Sequence, residues 1–367
     1  MTRPRVLLVG DTLALGGTEG QFAEVGCGLS RTRWDVRVAC LRAEGPLRAR
    51  LETSGVGVAS MAGRSALTIG GMAGILALAR RLRQECVALV HTFDYYSNVR
   101  GVIAARLARA RVIASQRDLG NLRSPRQERL QRLALRLADR VLVNSPAVDN
   151  VVKAAGVRPE RIALVPNGVD LDRFRPVLRA RAPEVVVVGT LANLRPEKGV
   201  VDIVRAAALL RERCPDARVV LWGDGALRKD LEGLIATLGL ADTVKLQGRT
   251  DAPEAALRTL DVFVLASTSE ASSNAILEAM ATGLPVIATD VGGNPWMVED
   301  ERTGLIVPPG DPAALAKALM RLVEDQPLAA RLGEAGRTRV EVEFGLDRML
   351  DCLERLYASV LGRRAVA

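Results

Sequence analysis

Along this chain, short runs of β-branched and other apolar residues alternate with longer stretches in which apolar residues recur at helical spacing. Val6–Gly10, Asp35–Leu41, Val56–Ser60, Val87–His91, Val112–Ser115, Val141–Asn144 and Ile162–Pro166 read as strands. The alternation restarts at Val185–Gly189 and continues through Val219–Gly223, Val244–Leu246, Asp261–Ala266, Val286–Thr289 and Leu305–Val307. Strands that are apolar throughout, with helices between them, predict parallel sheets covered on both faces. Two such series predict an α/β chain of two doubly wound, Rossmann-like units in tandem. The length of 367 residues also exceeds what one core usually serves. The join is expected near Pro176–Pro183, a stretch with Arg175, Arg179 and Arg181, giving domains 1–178 and 179–345. The closing helices Asp311–Glu324, Leu328–Phe344 and Leu346–Leu361 exceed what the second sheet needs. The last of them, about 346–367, is expected to cross back over the first domain.

Composition narrows the class. Apolar residues make up 49% of the chain, enough for two packed cores, and no uninterrupted apolar run reaches about 18 residues, which argues against a membrane span. The opening Met1–Val9 meets Asp11 too soon to be a signal peptide and reads as the first strand. Cys27, Cys40, Cys86, Cys214 and Cys352 are scattered, odd in number and without a C-x-x-C, which predicts reduced thiols in a cytoplasmic protein. Charge is uneven: residues 1–178 hold 28 Lys+Arg against 15 Asp+Glu, and residues 179–367 hold 23 against 27. The basic half suggests an anionic partner, although an Arg-rich composition gives the same count. Within Arg117–Arg140, the residues Arg126, Arg129, Arg132, Arg136 and Arg140 fall in an arc of roughly 120° flanked by Leu130, Leu133 and Leu137. Such a helix either lies peripherally on an anionic membrane, here the inner face, or is an ordinary surface helix with snorkelling arginines. Nucleic acid is disfavoured, because aromatic residues number 11 and no nucleic-acid module is present.

Candidate chemistry collects where strands give way to helices. Gly16 and Gly17, with Glu19, follow the first strand and open the first helix, where bare backbone amides can approach a phosphate or a sugar. The pattern is not G-x-G-x-x-G, so a dinucleotide cofactor is disfavoured; the plain alternative is a simple turn. At the matching place in the second unit, Gly189-Thr-Leu-Ala-Asn193-Leu-Arg195-Pro-Glu-Lys198-Gly199 sets two cations beside a helix start, which suits a diphosphate. Trp222-Gly223-Asp224-Gly225 reads as a structural turn. Glu270 and Glu278 stand eight apart, roughly 80° on an ideal helix. With Ser272 or Ser273 as N-cap, Glu270 precedes that helix and Glu278, among Ile276, Leu277, Ala279 and Met280, lies within it. Carboxylates here can accept from hydroxyls; the plain alternative is two solvated acids. The single histidine, His91, ends a strand and is either structural or ligand-facing. Asp170-Leu-Asp172 forms a D-x-D but reads as turn chemistry, so no metal site is expected.

These motifs, in this order, resemble the retaining glycosyltransferases of family 4, which have the GT-B fold. The resemblance is carried by the E-x7-E pair Glu270/Glu278, Gly16-Gly17-Thr-Glu19, Val165-Pro-Asn-Gly-Val-Asp170, Arg195-Pro-Glu-Lys-Gly199 and Gly223-Asp-Gly225, and spans nearly the whole chain. It implies two Rossmann-like domains facing a deep interdomain cleft, with a nucleotide-diphosphate sugar as donor and a glycan or lipid-linked acceptor. It further implies that Glu270 binds donor-sugar hydroxyls, Glu278 the ribose, and Arg195, Lys198, Gly16 and Gly17 the diphosphate. Amides at Asn274 and Ala275 complete the phosphate cradle, and backbone near Gly248–Arg249 holds the base. No metal or other cofactor is implied. Two positions depart from the family pattern: Asn193 stands where many relatives have arginine, and Arg117 where many have histidine. A GT-B enzyme that is not a transferase, such as a sugar-nucleotide epimerase, is the alternative.

Overall fold

The computed structural model describes residues 3–61, 69–176 and 185–362. The expected join at 178/179, with Arg179 and Arg181, lies outside the described residues. The chain divides into two units, Met1–Asn167 with Leu346–Ala367, and Gly168–Gly345.

The first unit is built on β1 (Arg5–Thr12), β2 (Asp35–Arg42), β3 (Gly57–Ser60), β4 (Val87–Thr92), β5 (Arg111–Gln116), β6 (Arg140–Val143) and β7 (Ile162–Leu164). They pair in parallel in the order β3-β2-β1-β4-β5-β6-β7. The order reverses between β1 and β4, which makes that pair the switch point of the sheet. Val6, Leu7, Leu8 and Val9 are buried on both faces, as the unbroken apolar run requires. The helix Leu346–Val360 belongs to this unit: Met349, Leu350, Leu353 and Tyr357 join the core that holds Phe22, Leu29 and Trp34. Trp34 and Tyr357 meet edge to face at 5.6 Å. Glu354 of the same helix accepts from the Ser30 amide at 3.0 Å and pairs with Arg33 at 2.8 Å.

The second unit carries β8 (Val187–Leu191), β9 (Arg218–Trp222), β10 (Val244–Gly248), β11 (Val262–Leu265), β12 (Val286–Thr289) and β13 (Leu305–Val307). Its strands, again parallel, run in the order β10-β9-β8-β11-β12-β13, with the switch point between β8 and β11. One core holds Val204, Leu210, Leu221, Val264 and Leu319; a second holds Phe263, Leu277, Met280, Val286 and Phe344. The second core includes the helix Asn274–Ala281, so that helix starts from a packed base.

The arginine-rich helix spans Pro125–Leu137, which corrects the expectation at one residue. Arg140 is not on it but begins β6. Its buried face is Gln131, Ala134 and Leu135, whereas Leu133 and Leu137 are exposed among the arginines. Burial of Gln131 is tolerated because its amide donates to Gln116 Oε1 at 2.6 Å. The five cysteines are free. Among the described residues, no helix is long and apolar enough to cross a membrane.

Candidate functional site

In the second unit, the loop leaving β8 is folded by contacts that tolerate only glycine. Ala192 N donates to Trp222 O at 3.0 Å and Leu194 N to Asp224 O at 3.1 Å, laying the loop on the β9 turn. A side chain at Gly223, whose φ is +140, would collide with Ala192 O, and one at Gly225 would crowd Leu194 O. The turn Gly223–Gly225 is thus structural, as its composition suggested. Pro196–Lys198 form a single 3-10 turn, and Gly199 at φ +61 starts the helix Val200–Arg213. Any side chain at Gly199 would strike Ala266 O at the end of β11. The β8 loop is thereby pressed against the carboxyl end of the neighbouring strand. Thr268 N donates to Glu197 O at 2.9 Å and fastens the two loops together.

This packing brings Lys198 to Glu270 across the switch point. Lys198 Nζ lies 2.6 Å from Glu270 Oε2, with side chains 24% and 12% exposed. Ser267 Oγ donates to the same oxygen at 3.2 Å, and Gly293 N holds the Glu270 carbonyl at 3.0 Å. Ser267 is itself fixed, since its carbonyl accepts from Thr289 Oγ1 at 2.5 Å. Asn294 Nδ2 in turn donates to Thr289 O at 3.1 Å. Ser273 caps the helix Asn274–Ala281 by accepting from Ile276 N at 3.4 Å. Asn274, Ala275 and Glu278 are half-buried on this helix, while Ile276, Leu277, Ala279 and Met280 are buried around Glu278. The structure does not bring Arg195 to the same pair: its side chain is 60% exposed, 3.9 Å from Glu197. Asn193 and Arg249 are exposed. Asp170 Oδ1 accepts from the amides of Asp172 and Arg173 at 3.0 and 2.9 Å, so that D-x-D is a turn.

The first unit gathers a different set of groups at its own switch point. Gly16 and Gly17 are exposed at the start of the helix Gly17–Gly28, and a side chain at Gly16 would collide with the Glu19 carboxylate. His91 is fully buried; its Nδ1 lies 2.6 Å from Tyr357 Oη and its Nε2 2.8 Å from Ser115 Oγ. Both ring nitrogens are thus engaged inside the protein, tying β4 to β5 and to the returning helix. Burial first, and the charge of Arg117 second, push the His91 imidazole well below its ordinary range. Arg117 is 8% exposed, stands 4.9 Å over the Phe93 ring, and donates from Nη1 to Asn167 Oδ1 at 2.9 Å. Burial lowers its guanidinium to about 10, against the pull of Asp94 and Tyr357.

Sequence reasoning passed over Asp11 and Asp94. Asp11 is in the last two residues of β1 and Asp94 lies two residues past β4, just before the helix Tyr95–Ala108, and a lone acid at a strand's carboxyl end was the available signal. Asp94 and Ser97 form a capping box at the start of the helix Tyr95–Ala108 that follows β4, and Asp11 Oδ1 of β1 accepts from the same Ser97 N at 2.7 Å. Burial, then Asp11, Glu19 and Asp118, push the Asp94 carboxyl well above the usual range, with Arg117 opposing. Among the described residues, no group of three or more His, Cys, Asp or Glu side chains is placed to hold a metal ion.

Comparison with known proteins bears on both units. Residues 15–173 match the family described as Glycosyltransferase Family 4, and residues 173–339 match Glycosyl transferases group 1. The chain is 28% identical over 356 residues to the Escherichia coli UDP-Gal:alpha-D-GlcNAc-diphosphoundecaprenol alpha-1,3-galactosyltransferase, covering 91% of each. It is 32% identical over 301 residues to a D-inositol 3-phosphate glycosyltransferase of Arthrobacter sp. (strain FB24), covering 74% of this chain and 70% of that one. The match to the enzyme of that name from Streptomyces avermitilis spans only 52% of it. In fold, the chain is similar to Anabaena HepE, solved in complex with UDP, with a TM-score of 0.86 and 22% identity over 97% of this chain and 100% of that one.

Proposed function

We propose that this chain, which belongs to glycosyltransferase family 4 and has the GT-B fold, is a retaining hexosyltransferase. It moves a sugar from a nucleotide-diphosphate sugar to an acceptor hydroxyl. Membership makes it a glycosyltransferase; the donor, the stereochemistry and the residue roles are our reading. The observation that carries it is the meeting of Lys198 and Glu270 at the β8/β11 switch point, where doubly wound sheets take their ligands.

In this scheme the second unit holds the donor. Glu270 accepts from hydroxyls of the transferred sugar, and Glu278 accepts from the ribose. Lys198, and Arg195 brought in from its solvent-exposed rotamer, stand against the diphosphate. The amides of Asn274 and Ala275 add the dipole of a helix start, and the backbone at Arg249 borders the base. As the anomeric C–O bond lengthens, negative charge grows on the leaving diphosphate, and these fixed positive groups stabilise it where it develops. The acceptor hydroxyl attacks from the leaving-group face, and its proton passes to the departing phosphate oxygen, which preserves configuration. The scheme uses side-chain cations where other enzymes use a divalent metal ion. Gly16, Gly17, Glu19 and Arg117 are assigned to the first unit's share of the reaction.

The acceptor is proposed to be lipid-linked or a glycan, in surface polysaccharide or glycolipid synthesis. The E. coli relative is named for a diphosphoundecaprenol acceptor, and a Rhizobium meliloti relative for lipopolysaccharide core biosynthesis. Because the matched relatives are named as transferases, the epimerase alternative is not carried forward.

The test is direct. A thermal-shift panel of UDP, GDP and ADP sugars should single out one donor by mass action. With that donor, Lys198→Ala and Glu270→Ala should each lower transfer by about 10²–10³-fold while the melting profile survives. The side chains are only 24% and 12% exposed, so removing one partner costs between about 1 kcal/mol, as for a surface pair, and about 3–5 kcal/mol, as for a buried one. Transfer at the wild-type rate in either variant, or loss of activity in EDTA, would contradict the scheme.

A further inference from the structure

We propose that Glu270 sets the preference of the second unit for an intact donor over its nucleoside diphosphate product. It competes with the diphosphate for Lys198, and so loosens the hold on the nucleotide once the sugar has gone. This role deepens the transferase reading and rests on it.

Three observations carry the proposal. First, the two groups assigned to different parts of the donor hold each other. Lys198 Nζ stands 2.6 Å from Glu270 Oε2, the distance of a charge-assisted hydrogen bond. Both side chains are mostly buried, so water is a poor substitute for either partner.

Second, the meeting is built into the backbone and does not depend on two flexible side chains finding each other. Glu270 is held at both ends: its carbonyl accepts from Gly293 N at 3.0 Å, and its Oε2 accepts from Ser267 Oγ at 3.2 Å. Lys198 closes the turn Pro196–Lys198, in which the Glu197 carbonyl accepts from Thr268 N at 2.9 Å. The next residue, Gly199, is packed so closely on Ala266 O that a side chain there would strike it. The loops after β8 and β11 are thus fastened on either side of the pair.

Third, Glu270 restrains one cation and not the other. Arg195 is exposed and faces Glu197 at 3.9 Å. Of the two cations assigned to the diphosphate, Lys198 is the one whose use requires that Glu270 be displaced.

The chemistry of discrimination follows. A phosphate oxygen that takes Lys198 parts Glu270 from its cation and sets a like charge beside it. An intact donor offsets both effects, because its sugar hydroxyls donate to the Glu270 carboxylate in place of Lys198. A nucleoside diphosphate brings no hydroxyl to that place. Donor binding is therefore an exchange of partners, whereas product binding leaves a mostly buried acid without one. As the diphosphate departs, Glu270 recovers Lys198.

Titration calorimetry on the full chain tests this, with two ligands: the nucleotide sugar singled out by the thermal-shift panel and the nucleoside diphosphate of the same base. The wild type should bind the nucleotide sugar more tightly than the diphosphate. Glu270→Gln keeps the shape and removes the charge. It should bind the diphosphate about five- to tenfold more tightly than the wild type does, with the gain shrinking in 0.5 M salt. The nucleotide sugar should gain less, and product inhibition by the diphosphate should strengthen as transfer slows. Glu270→Ala, which also removes the charge, gives a second neutral variant should Glu270→Gln unfold. The proposal is overturned if the neutral variants bind the diphosphate no more tightly than the wild type, or if both ligands gain equally. A wild type that prefers the diphosphate to the nucleotide sugar overturns it as well. The thermal-shift panel separates the two ideas: if one nucleotide sugar raises the melting point and is used for transfer while diphosphate affinity ignores the charge of Glu270, the discrimination alone falls. If no nucleotide sugar shifts the melting point, the transferase reading falls with it.

Discussion

His91 and Asp94, three residues apart, respond to pH in opposite directions. His91 is buried as the neutral imidazole, with its folded value well below its ordinary one of 6.5. The folded state therefore binds fewer protons than the unfolded chain below about pH 6.5, and its stability contribution, full above that value, drains away as pH falls. Asp94 is shifted upward, so the folded state holds its proton longer than the unfolded chain does. Its contribution is full below the ordinary carboxylate value of about 4 and is lost as pH rises toward its folded value. Two measurements follow. The sequence has a single histidine, so its imidazole NMR signals are unambiguous; they should not titrate between about pH 8 and 6. An ordinary midpoint near 6.5 would show that the Tyr357–His91–Ser115 chain opens in solution. Separately, Asp94→Asn should raise the urea midpoint at pH 7.5 and leave it nearly unchanged near pH 4. Equal midpoints at both values would mean that Asp94 ionises freely despite Asp11, Glu19 and Asp118 on one side and Arg117 on the other.

Among the elements, the strands were legible because a parallel strand buried on both faces must be apolar throughout, and such runs read plainly. All thirteen expected strands are present, and Val286–Thr289 and Leu305–Val307 keep their boundaries. The cap of the helix after Glu270 was narrowed to Ser272 or Ser273, and Ser273 takes it by accepting from Ile276 N. What could not be read depends on partners far along the chain. The Lys198–Glu270 pair joins residues separated by 72 positions. The bond from Ser97 N to Asp11 Oδ1 joins the end of β1 to the helix that follows β4, residues 86 positions apart. The helix Pro125–Leu137 shows the same limit: nothing local marks Gln131 as buried, yet its amide reaches Gln116, 15 residues away, while Leu133 and Leu137 stay exposed. Arg129, Arg132 and Arg136 share that outer surface, although Arg132 pairs with Glu128 and Arg136 reaches Ala155 O. We infer that this helix rests on anionic lipid, each basic residue near the surface adding about 1 kcal/mol. Co-sedimentation with phosphatidylglycerol vesicles should exceed that with phosphatidylcholine vesicles and fall in 0.5 M salt. Leu133→Glu with Leu137→Glu should abolish it; binding insensitive to lipid charge would make this an ordinary surface helix.

The molecule as a whole is unequal in how its two units are closed. The second is a continuous segment, Gly168–Gly345, with its own cores and a parallel bridge between Val169 and Gly345 that joins its two ends. The first is discontinuous: its core is completed by Met349, Leu350, Leu353 and Tyr357 from beyond the second unit. Removing that helix would strip the apolar cover from Phe22, Leu29 and Trp34 and leave His91 Nδ1 without its tyrosine. A buried large apolar side chain contributes about 1.5–3 kcal/mol, so losing four of them is comparable with the whole stability of an ordinary domain, about 5–15 kcal/mol. A chain ending at Gly345 should therefore lose the first unit's cooperative unfolding transition while keeping the second's. The fragment 168–345 should fold alone and still be stabilised by the nucleotide sugar that the full chain selects, yet transfer nothing. Calorimetry of the three chains decides it. If the chain ending at Gly345 melts like the full one, the returning helix is an appendage, and the first unit's core is closed without it. If the fragment 168–345 ignores every nucleotide sugar that stabilises the full chain, the donor is not held by Lys198 and Glu270 alone, and the first unit must supply the larger share of its binding.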